Sequence, residues 1–433
     1  MTTPIEEYLK KPADYASLLK EALVPCPPNL SPGAEYAPDK RYFQGIPAIE
    51  RSPGGRLWAA WYSGGQGESC FNYVILVTSG DDGETWSDPV LVIDPPGKVR
   101  ACDEALWIDP EGRLWLFWMQ SHTLHDGPCG VWAIVTDEPD KANPSWSAPR
   151  RLADGVMLNK PTVLSSGEWL LPIGHNGTKM IANEKRMLPK CYQSDILNLM
   201  TEEEKRVVNE RAKANVFVSR DKGRTFTELG GVATPEEFKN HNEHMIVELK
   251  NRSLLMLVRT NYGIGKSISK DGGKNWSPVV ESGIPHPASR FFLRKLKSGN
   301  LLLVKHGTMK VEDKSVEPAK LRRDNLTAYI SDDDGCTWKG GLVLEERVCS
   351  YPDGVQGKDG MIYVIYDLGR RKEKMILMTR FTEDDVLSAK FANPRSRQRM
   401  LVNQATGVIT EEISWERLRI QDGEKEKLIY TGI

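Results

Sequence analysis

The chain lacks several features that would assign it to a common class of protein. Its 433 residues contain no apolar run of the roughly 18 residues that a membrane-spanning helix needs. The opening residues, MTTPIEEYLKKPADY, lack the basic-then-apolar order of a secretory signal. The 58 basic and 59 acidic residues leave no positive excess for binding nucleic acid or a membrane surface. Seven cysteines occur singly, without a CxxC pair, which indicates free thiols in a reducing compartment. We therefore expect a cytoplasmic protein that binds neither nucleic acid nor a membrane.

Motifs for bound groups are also missing. The sequence has no zinc-ligand spacing, phosphate loop, dinucleotide fingerprint or Gly-x-Ser-x-Gly element. His241 and His244 are three residues apart, and in a strand such residues point to opposite faces, which disfavours a shared metal. We expect no cofactor.

One octet is present in four copies. They read SGDDGETW (79–86), SRDKGRTF (219–226), SKDGGKNW (269–276) and SDDDGCTW (331–338), and a degenerate copy spans 136–146. The shared Asp can bond the amides of its own turn, and the shared Gly can take a left-handed backbone. The octet therefore predicts a structural turn between strands rather than a site of chemistry.

A second repeat occurs at positions different from those of the octets. Six times a tight polar turn precedes a β-rich run, beginning at Ser52, Asp109, Leu164, Glu248, Leu296 and Gly357. Two hairpin signals in each period imply about four strands per unit. Six such units are typical of a six-bladed β-propeller, an all-β fold.

The segments around these repeats complete a single predicted domain, 1–433. Residues 1–38 form an N-terminal extension, partly helical over 5–23, and 39–380 form the propeller core. A helical insertion in blade three spans Ser194–Val216; we favour a solvated decoration over a lid or an oligomer contact. Residues 381–433 supply a helix capped at Thr382 and a closing strand, SWERLRI.

Polar residues occur at the same end of each innermost strand, just before the chain becomes apolar. Because these strands surround the central channel, the set predicts a polar ligand on the propeller axis. Its members are Gln44, Arg100, Asp103, Glu104, Asn159, Lys160, His241, Asn242, Glu243, His244, Arg290, Tyr351 and Asp353.

The octets, the six blades and the order of these residues resemble the sialidase (neuraminidase) superfamily over residues 40–380. The resemblance implies that Glu243 and Arg259, in LLMLVRT, belong to one site with Arg323, in RRDNLTAYISDDDG, and Tyr351, in CSYPDG. It implies a glycosidase in which Tyr351 is the nucleophile, Glu243 is its base, and the two arginines bind the carboxylate of an acidic sugar.

The chain departs from the superfamily in blade one. Sialidases have Arg-Ile-Pro where this chain has Gly45-Ile46-Pro47, so the first arginine of a triad is missing. Arg100 and Arg290 are the candidates to replace it. The acid/base position falls in YSGGQGESCFNYV, where Glu68 is the only carboxylate, and Asp103 is a rival acid.

Three functions stay open from the sequence. The first is an exo-glycosidase that removes a terminal acidic sugar, with Gln44, Lys160, His244 and Asp353 among the substrate-binding residues. The second is a glycosidase or lyase acting on a neutral or deoxy sugar through Asp103 with His244 or Asp353. The third is a carbohydrate- or protein-binding propeller without activity. The expected partner is a small oligosaccharide or glycoside, and homo-oligomer formation is left open.

Overall fold

The computed structural model describes residues 14–65, 67–69, 71–122, 124–183, 196–235, 239–310, 321–408, 418–422 and 425–428. Twenty-four strands form six four-stranded antiparallel sheets, and each sheet takes four consecutive strands of the chain. First strands of neighbouring blades pack together, and β1 (Gln44–Arg51) contacts β21 (Cys349–Gln356), which closes the ring. The predicted six-bladed β-propeller is confirmed.

The strands of blades one to three are β1, β2 (Leu57–Ser63), β3 (Tyr73–Ser79), β4 (Leu91–Ile93), β5 (Val99–Ile108), β6 (Leu114–His122), β7 (Val131–Thr136), β8 (Arg150–Ala153), β9 (Thr162–Val163), β10 (Trp169–Gly174), β11 (Ala214–Ser219) and β12 (Thr227–Val232). Those of blades four to six are β13 (Lys239–Glu248), β14 (Leu254–Thr260), β15 (Gly263–Ser269), β16 (Val280–Glu281), β17 (Phe292–Lys295), β18 (Leu301–His306), β19 (Leu326–Ser331), β20 (Lys339–Glu345), β21, β22 (Ile362–Leu368), β23 (Met375–Phe381) and β24 (Arg397–Gln404).

The core lies between blades. Strands β2 and β6, with the sequences LWAAWYS and LWLFWMQSH, are buried along their whole length because each central strand is covered on both faces. Trp58, Trp61, Trp118 and Trp169 are among the largest fully buried side chains. Full burial of a large apolar side chain contributes about 1.5–3 kcal/mol, so these inter-blade layers hold the ring together.

The octets form the turns that the sequence predicts. In the last copy, Asp333 accepts hydrogen bonds from the Thr337 amide at 2.8 Å and from its hydroxyl at 2.5 Å. These bonds lower the pKa of Asp333 to about 2. Gly335 has φ 84° and donates its amide to Ser331. The turns join the third and fourth strands, so they are far from the hub.

Helices occur before the first blade and within blade three. Helix α1 (Tyr15–Ala22) is part of the predicted helical stretch 5–23, whose first nine residues lie outside the described residues. Between β10 and β11 lie α2 (Thr178–Asn183), which precedes the predicted range 194–216, and α3 (Ile196–Leu199) and α4 (Glu202–Arg211), which lie within it; we call these three helices together the blade-three insertion. Tyr15 and Leu18 of α1 pack on Ile181, Ile196 and Met200 of the insertion.

The C-terminal part extends the propeller beyond the predicted boundary at 380. Helix α5 (Glu383–Ser388), capped by Thr382 as expected, lies between β23 and β24, so blade six ends at Gln404. The described part of the expected closing strand is in β25 (Leu418–Asp422), which pairs with β26 (Lys425–Leu428) and not with a blade.

Two further observations concern the described residues as a whole. None of their helices is long and apolar enough to cross a membrane. The described residues include five cysteines, of which four are buried and Cys336 is exposed.

Three innermost strands carry the same irregularity. The pairing of β1, β5 and β21 with the next strand is interrupted by one extra residue, after Gly45, Cys102 and Ser350 respectively. The following residue in each strand is left-handed: Ile46 has φ 56°, Asp103 φ 50° and Tyr351 φ 55°. Such bulges change which side chains face inward, and non-glycine residues in this region cost about 1–3 kcal/mol each and cluster at functional sites.

Candidate active site

Three side chains from blades four and six are in mutual contact at the hub. The Tyr351 hydroxyl donates a hydrogen bond to Oε1 of Glu243 at 3.0 Å. Nη1 of Arg259 donates to the two carboxylate oxygens of Glu243 at 2.9 and 3.0 Å, and to the Tyr351 oxygen at 3.0 Å. All three are buried. The structure thus brings together a phenol, a carboxylate that can accept its proton, and a fixed positive charge.

The electrostatics of this group favour a neutral phenol at rest. Burial and the adjacent Glu243 raise the pKa of Tyr351 to about 12, although Arg259, Arg370 and Arg323 oppose the shift. Burial disfavours the charged form of Arg259, but Glu243 and Tyr351 more than offset this and raise the pKa of Arg259. Tyr351 is therefore protonated at neutral pH, and Glu243 is the acceptor within reach.

A second arginine is aligned with the first by a shared acceptor. Nη2 of Arg259 and Nη2 of Arg323 donate to the carbonyl oxygen of Ala288, at 2.7 and 2.8 Å. Arg323 lies in the segment between β18 and β19, and Arg259 lies in β14. One backbone oxygen therefore holds two guanidinium groups beside Tyr351.

A third guanidinium comes from blade six, where the sequence did not predict one. The Cζ atom of Arg370 lies 4.3 Å from the centre of the Tyr351 ring. Its Nε donates to Oδ2 of Asp367 at 2.9 Å, and its Nη1 donates to Oε1 of Glu68 at 3.2 Å. Burial disfavours its charge, but Asp367 and its other anionic neighbours more than offset this and raise the pKa of Arg370. Arg370 thus remains a cation in the site.

Gly45 provides the space for this arginine. A Cβ atom added at Gly45 would lie 2.7 Å from Cδ and 2.8 Å from Nε of Arg370, closer than non-bonded atoms approach. Asp367 also accepts the backbone N–H of Ile46 at 2.9 Å, which ties Arg370 to the bulge of blade one. The position that holds arginine in the sialidase Arg-Ile-Pro motif is therefore empty of side chain, and an arginine from blade six crosses it.

A cavity of about 950 Å³ opens over these groups. Its wall includes Ile46, Asp103 and Tyr351 from the three bulges. The opposite wall belongs to the blade-three insertion and the residues just before it: Asn176, Gly177, Thr178, Lys179, Met180 and Asn209. Of the predicted range 194–216, Asn209 of α4 lines the cavity, although none of the residues of α4 is buried; α2, which precedes that range, contributes Thr178, Lys179 and Met180.

Both predicted acids line the cavity, together with Arg100. Burial raises the pKa of Asp103 to about 6, and the nearby Glu68 and Glu243 add to the shift, whereas Arg100 opposes it. Glu68 is in the ion pair with Arg370. Arg100 donates to the side chain of Asn72 at 3.3 Å and to the Leu124 carbonyl at 2.9 Å, so it is held at the wall.

Five of the residues predicted to bind the substrate do not line the cavity: Gln44, Lys160, His244, Arg290 and Asp353. Lys160 and Arg290 both pair with the buried carboxylate of Asp353, at 3.2 and 3.3 Å. Gln44 accepts hydrogen bonds from Arg41 and Trp61, both at 3.0 Å. The ring nitrogens of His244 face two backbone carbonyls, and burial lowers its pKa to about 4. These side chains are held by other protein groups, and their expected contact with substrate is corrected accordingly.

The comparisons with known proteins agree with this fold. The BNR repeat-like domain family matches residues 55–364, and the chain belongs to it. No curated protein sequence matches the chain.

Among solved structures, two sialidases and an arabinanase are similar in fold. The leech intramolecular trans-sialidase is 14% identical, with a TM-score of 0.57 over 82% of this chain and 70% of its own. The NanB sialidase of Streptococcus pneumoniae is 12% identical, with a TM-score of 0.56 over 80% and 70%. The alpha-L-arabinanase of Penicillium chrysogenum is 14% identical, with a TM-score of 0.51 over 84% and 99%.

Proposed function

We propose that the protein is a retaining exo-glycosidase that removes a terminal acidic sugar. The contact of Tyr351 with Glu243 and with Arg259, at 3.0 Å each, is the observation that carries the proposal. The fold shared with two sialidases supports it.

In the first step, Glu243 takes the phenol proton while the Tyr351 oxygen attacks the anomeric carbon. The bond from that carbon to the leaving oxygen breaks, and a cavity acid protonates the leaving group. Water then gives a proton to the deprotonated cavity acid and attacks the same carbon, the Tyr351–sugar bond breaks, and Glu243 returns its proton to the phenol oxygen. Two displacements at one carbon retain its configuration.

The arginines explain why a tyrosine is suited to this role. A sugar with a carboxylate on its anomeric carbon repels an anionic nucleophile, whereas a neutral phenol can approach it. Arg259, Arg323 and Arg370 present three guanidinium groups around that point, and such groups bind carboxylates through paired hydrogen bonds. Arg370 takes the place that the sequence left vacant at Gly45.

Asp103 is the better candidate for the acid, since its pKa of about 6 leaves it partly protonated near neutral pH. For substrates with poor leaving groups, we expect kcat/KM to fall as the pH rises through about 6, because Asp103 then loses its proton. In Asp103→Asn, we expect this fall of kcat/KM with pH to disappear. The rate on such substrates should decrease about 10²-fold, with little loss on nitrophenyl glycosides. Rate profiles from pH 4 to 9, with Glu68→Gln as the matched variant, measure this. A fall with pH that persists in Asp103→Asn and vanishes in Glu68→Gln would assign the role to Glu68.

The proposal is tested by a panel of aryl glycosides that includes acidic, neutral and deoxy sugars. We expect turnover of an acidic sugar only, and NMR of the first product should show the retained anomer. Hydrolysis confined to neutral sugars, or inversion, would overturn the proposal. Saturable binding without product on any glycoside would favour a binding propeller.

The second function considered from the sequence loses its groups. The groups suggested for it were Asp103 with, for instance, His244 or Asp353. Both partners are buried among backbone carbonyls or cations away from the cavity.

A further inference from the structure

The charge of the cavity differs from that of the chain. The cavity wall has seven basic and three acidic side chains, whereas the whole chain has a net charge of −1. The three acids, Glu68, Asp103 and Glu243, interact electrostatically with one another or with the arginines near Tyr351. Cationic clefts raise the local concentration of anionic ligands.

Three of the seven bases are exposed, and we call Lys179, Arg371 and Lys372 the mouth cations. Lys179 lies on α2 of the blade-three insertion, and the other two follow Arg370 in blade six. Blades three and six are opposite each other in a ring of six, so the mouth cations approach the opening from both sides. Neither Arg371 nor Lys372 forms an ion pair with any described residue.

The mouth cations have no part in the chemistry argued above. Arg259, Arg323 and Arg370 supply the charge beside Tyr351, and a single acidic sugar satisfies that end of the cavity. Its volume of about 950 Å³ is near the upper limit of ligand pockets, about 300–1,000 Å³, which leaves space for the next sugar unit. The leaving group of an exo-glycosidase has to occupy that space.

We propose that the mouth cations form a second anionic subsite, which binds a carboxylate or sulfate on the sugar next to the one that is removed. The inference rests on the proposed function, because it places that neighbouring sugar in the leaving-group end of the cavity. The substrate class is then an acidic oligosaccharide with charges on consecutive units, rather than a single acidic sugar on a neutral carrier.

The test compares two substrates that share the same terminal acidic sugar. One has a neutral aryl leaving group, and the other has a second carboxylated sugar. In Lys179→Gln/Arg371→Gln/Lys372→Gln, we expect the ratio of KM for the diacid to KM for the aryl glycoside to rise about tenfold. Raised salt should increase the same ratio in the wild type. The variant Lys266→Gln/Lys270→Gln/Lys274→Gln removes three exposed cations from blade four and should leave the ratio unchanged.

A binding measurement separates this inference from the proposed function. Calorimetry with the diacid, in a Tyr351→Phe background with and without the mouth cations, requires no turnover. About tenfold weaker binding of the diacid by the protein without the mouth cations would support the subsite. If the wild type hydrolyses neither substrate, that result contradicts the glycosidase proposal but not the subsite. Equal binding, or an equal loss in the blade-four variant, would overturn the subsite. A sulfated disaccharide in the same assay distinguishes sulfate from carboxylate.

Discussion

Tyr351→Phe is expected to reduce turnover of an acidic aryl glycoside by about 10³-fold or more, while the protein stays folded. Phenylalanine keeps the ring under Arg370 but removes the oxygen that would attack the sugar. It also removes one hydrogen bond to Glu243 and one from Arg259, which should cost about 1.5–3 kcal/mol of stability, the scale of a hydrogen bond to a charged group. Steady-state kinetics and thermal unfolding of the same preparation measure both effects.

Tyr363→Phe is a matched control for this substitution. The Tyr363 hydroxyl donates to Asp82 at 2.8 Å, and Arg51 lies over its ring, with Cζ 5.2 Å from the ring centre. Tyr363 therefore has a carboxylate and an arginine as neighbours, as Tyr351 does, but it does not line the cavity. We expect a similar loss of stability and normal turnover. Near-normal turnover of Tyr351→Phe would exclude a tyrosine nucleophile. An equal loss of turnover in Tyr363→Phe would do the same.

Much of the fold could be predicted because its signals are local and repeated. Each octet contains the Asp and Gly that its own turn requires, as Asp333 and Gly335 illustrate. Six hairpin signals then give the number of blades. Helix α5 was predicted from its cap at Thr382, but the end of blade six was not, since nothing local shows that the chain returns after this helix to add β24.

The contact between Glu243 and Tyr351 was also predictable, although 108 residues separate them. The resemblance supplied the pair, and convergence of the inner strands explains it. The error over Asp353 has a physical cause. An unbroken strand would point Tyr351 and Asp353 to the same face, but the bulge after Ser350 breaks that alternation. Asp353 instead meets Lys160 and Arg290 in a buried network.

Arg370 could not be found from spacing. It follows β22 in DLGRRKEK, and nothing local distinguishes it from Arg371. Its position depends on Asp367 three residues earlier and on Gly45 in another blade. The sequence shows that blade one lacks the arginine and that blade six has one at the same end. Only the closed ring, which places these two positions side by side, shows that the second can replace the first.

The second large effect is expected from changes at Arg370 and Gly45, including the exchange of arginine and glycine between these two positions. Arg370→Ala removes a charged group beside Tyr351 and should lower kcat/KM for an acidic glycoside about 10- to 100-fold, the scale of one charged hydrogen bond. Gly45→Arg alone should also lower it, because the new Cβ would contact Cδ and Nε of Arg370. In Gly45→Arg/Arg370→Gly the arginine arises from blade one, as in the sialidase motif, and we expect recovery to within about tenfold of wild type.

Recovery in the double variant is the informative result, because two harmful changes that act independently would multiply their losses. Kinetics on acidic and neutral glycosides, with unfolding temperatures for all variants, separate loss of carboxylate binding from loss of fold. Unchanged kinetics in Arg370→Ala would remove Arg370 from the clamp. If the double variant is worse than both single variants, Arg370 acts through Glu68 and Asp367, which it holds at 3.2 and 2.9 Å, rather than through the substrate.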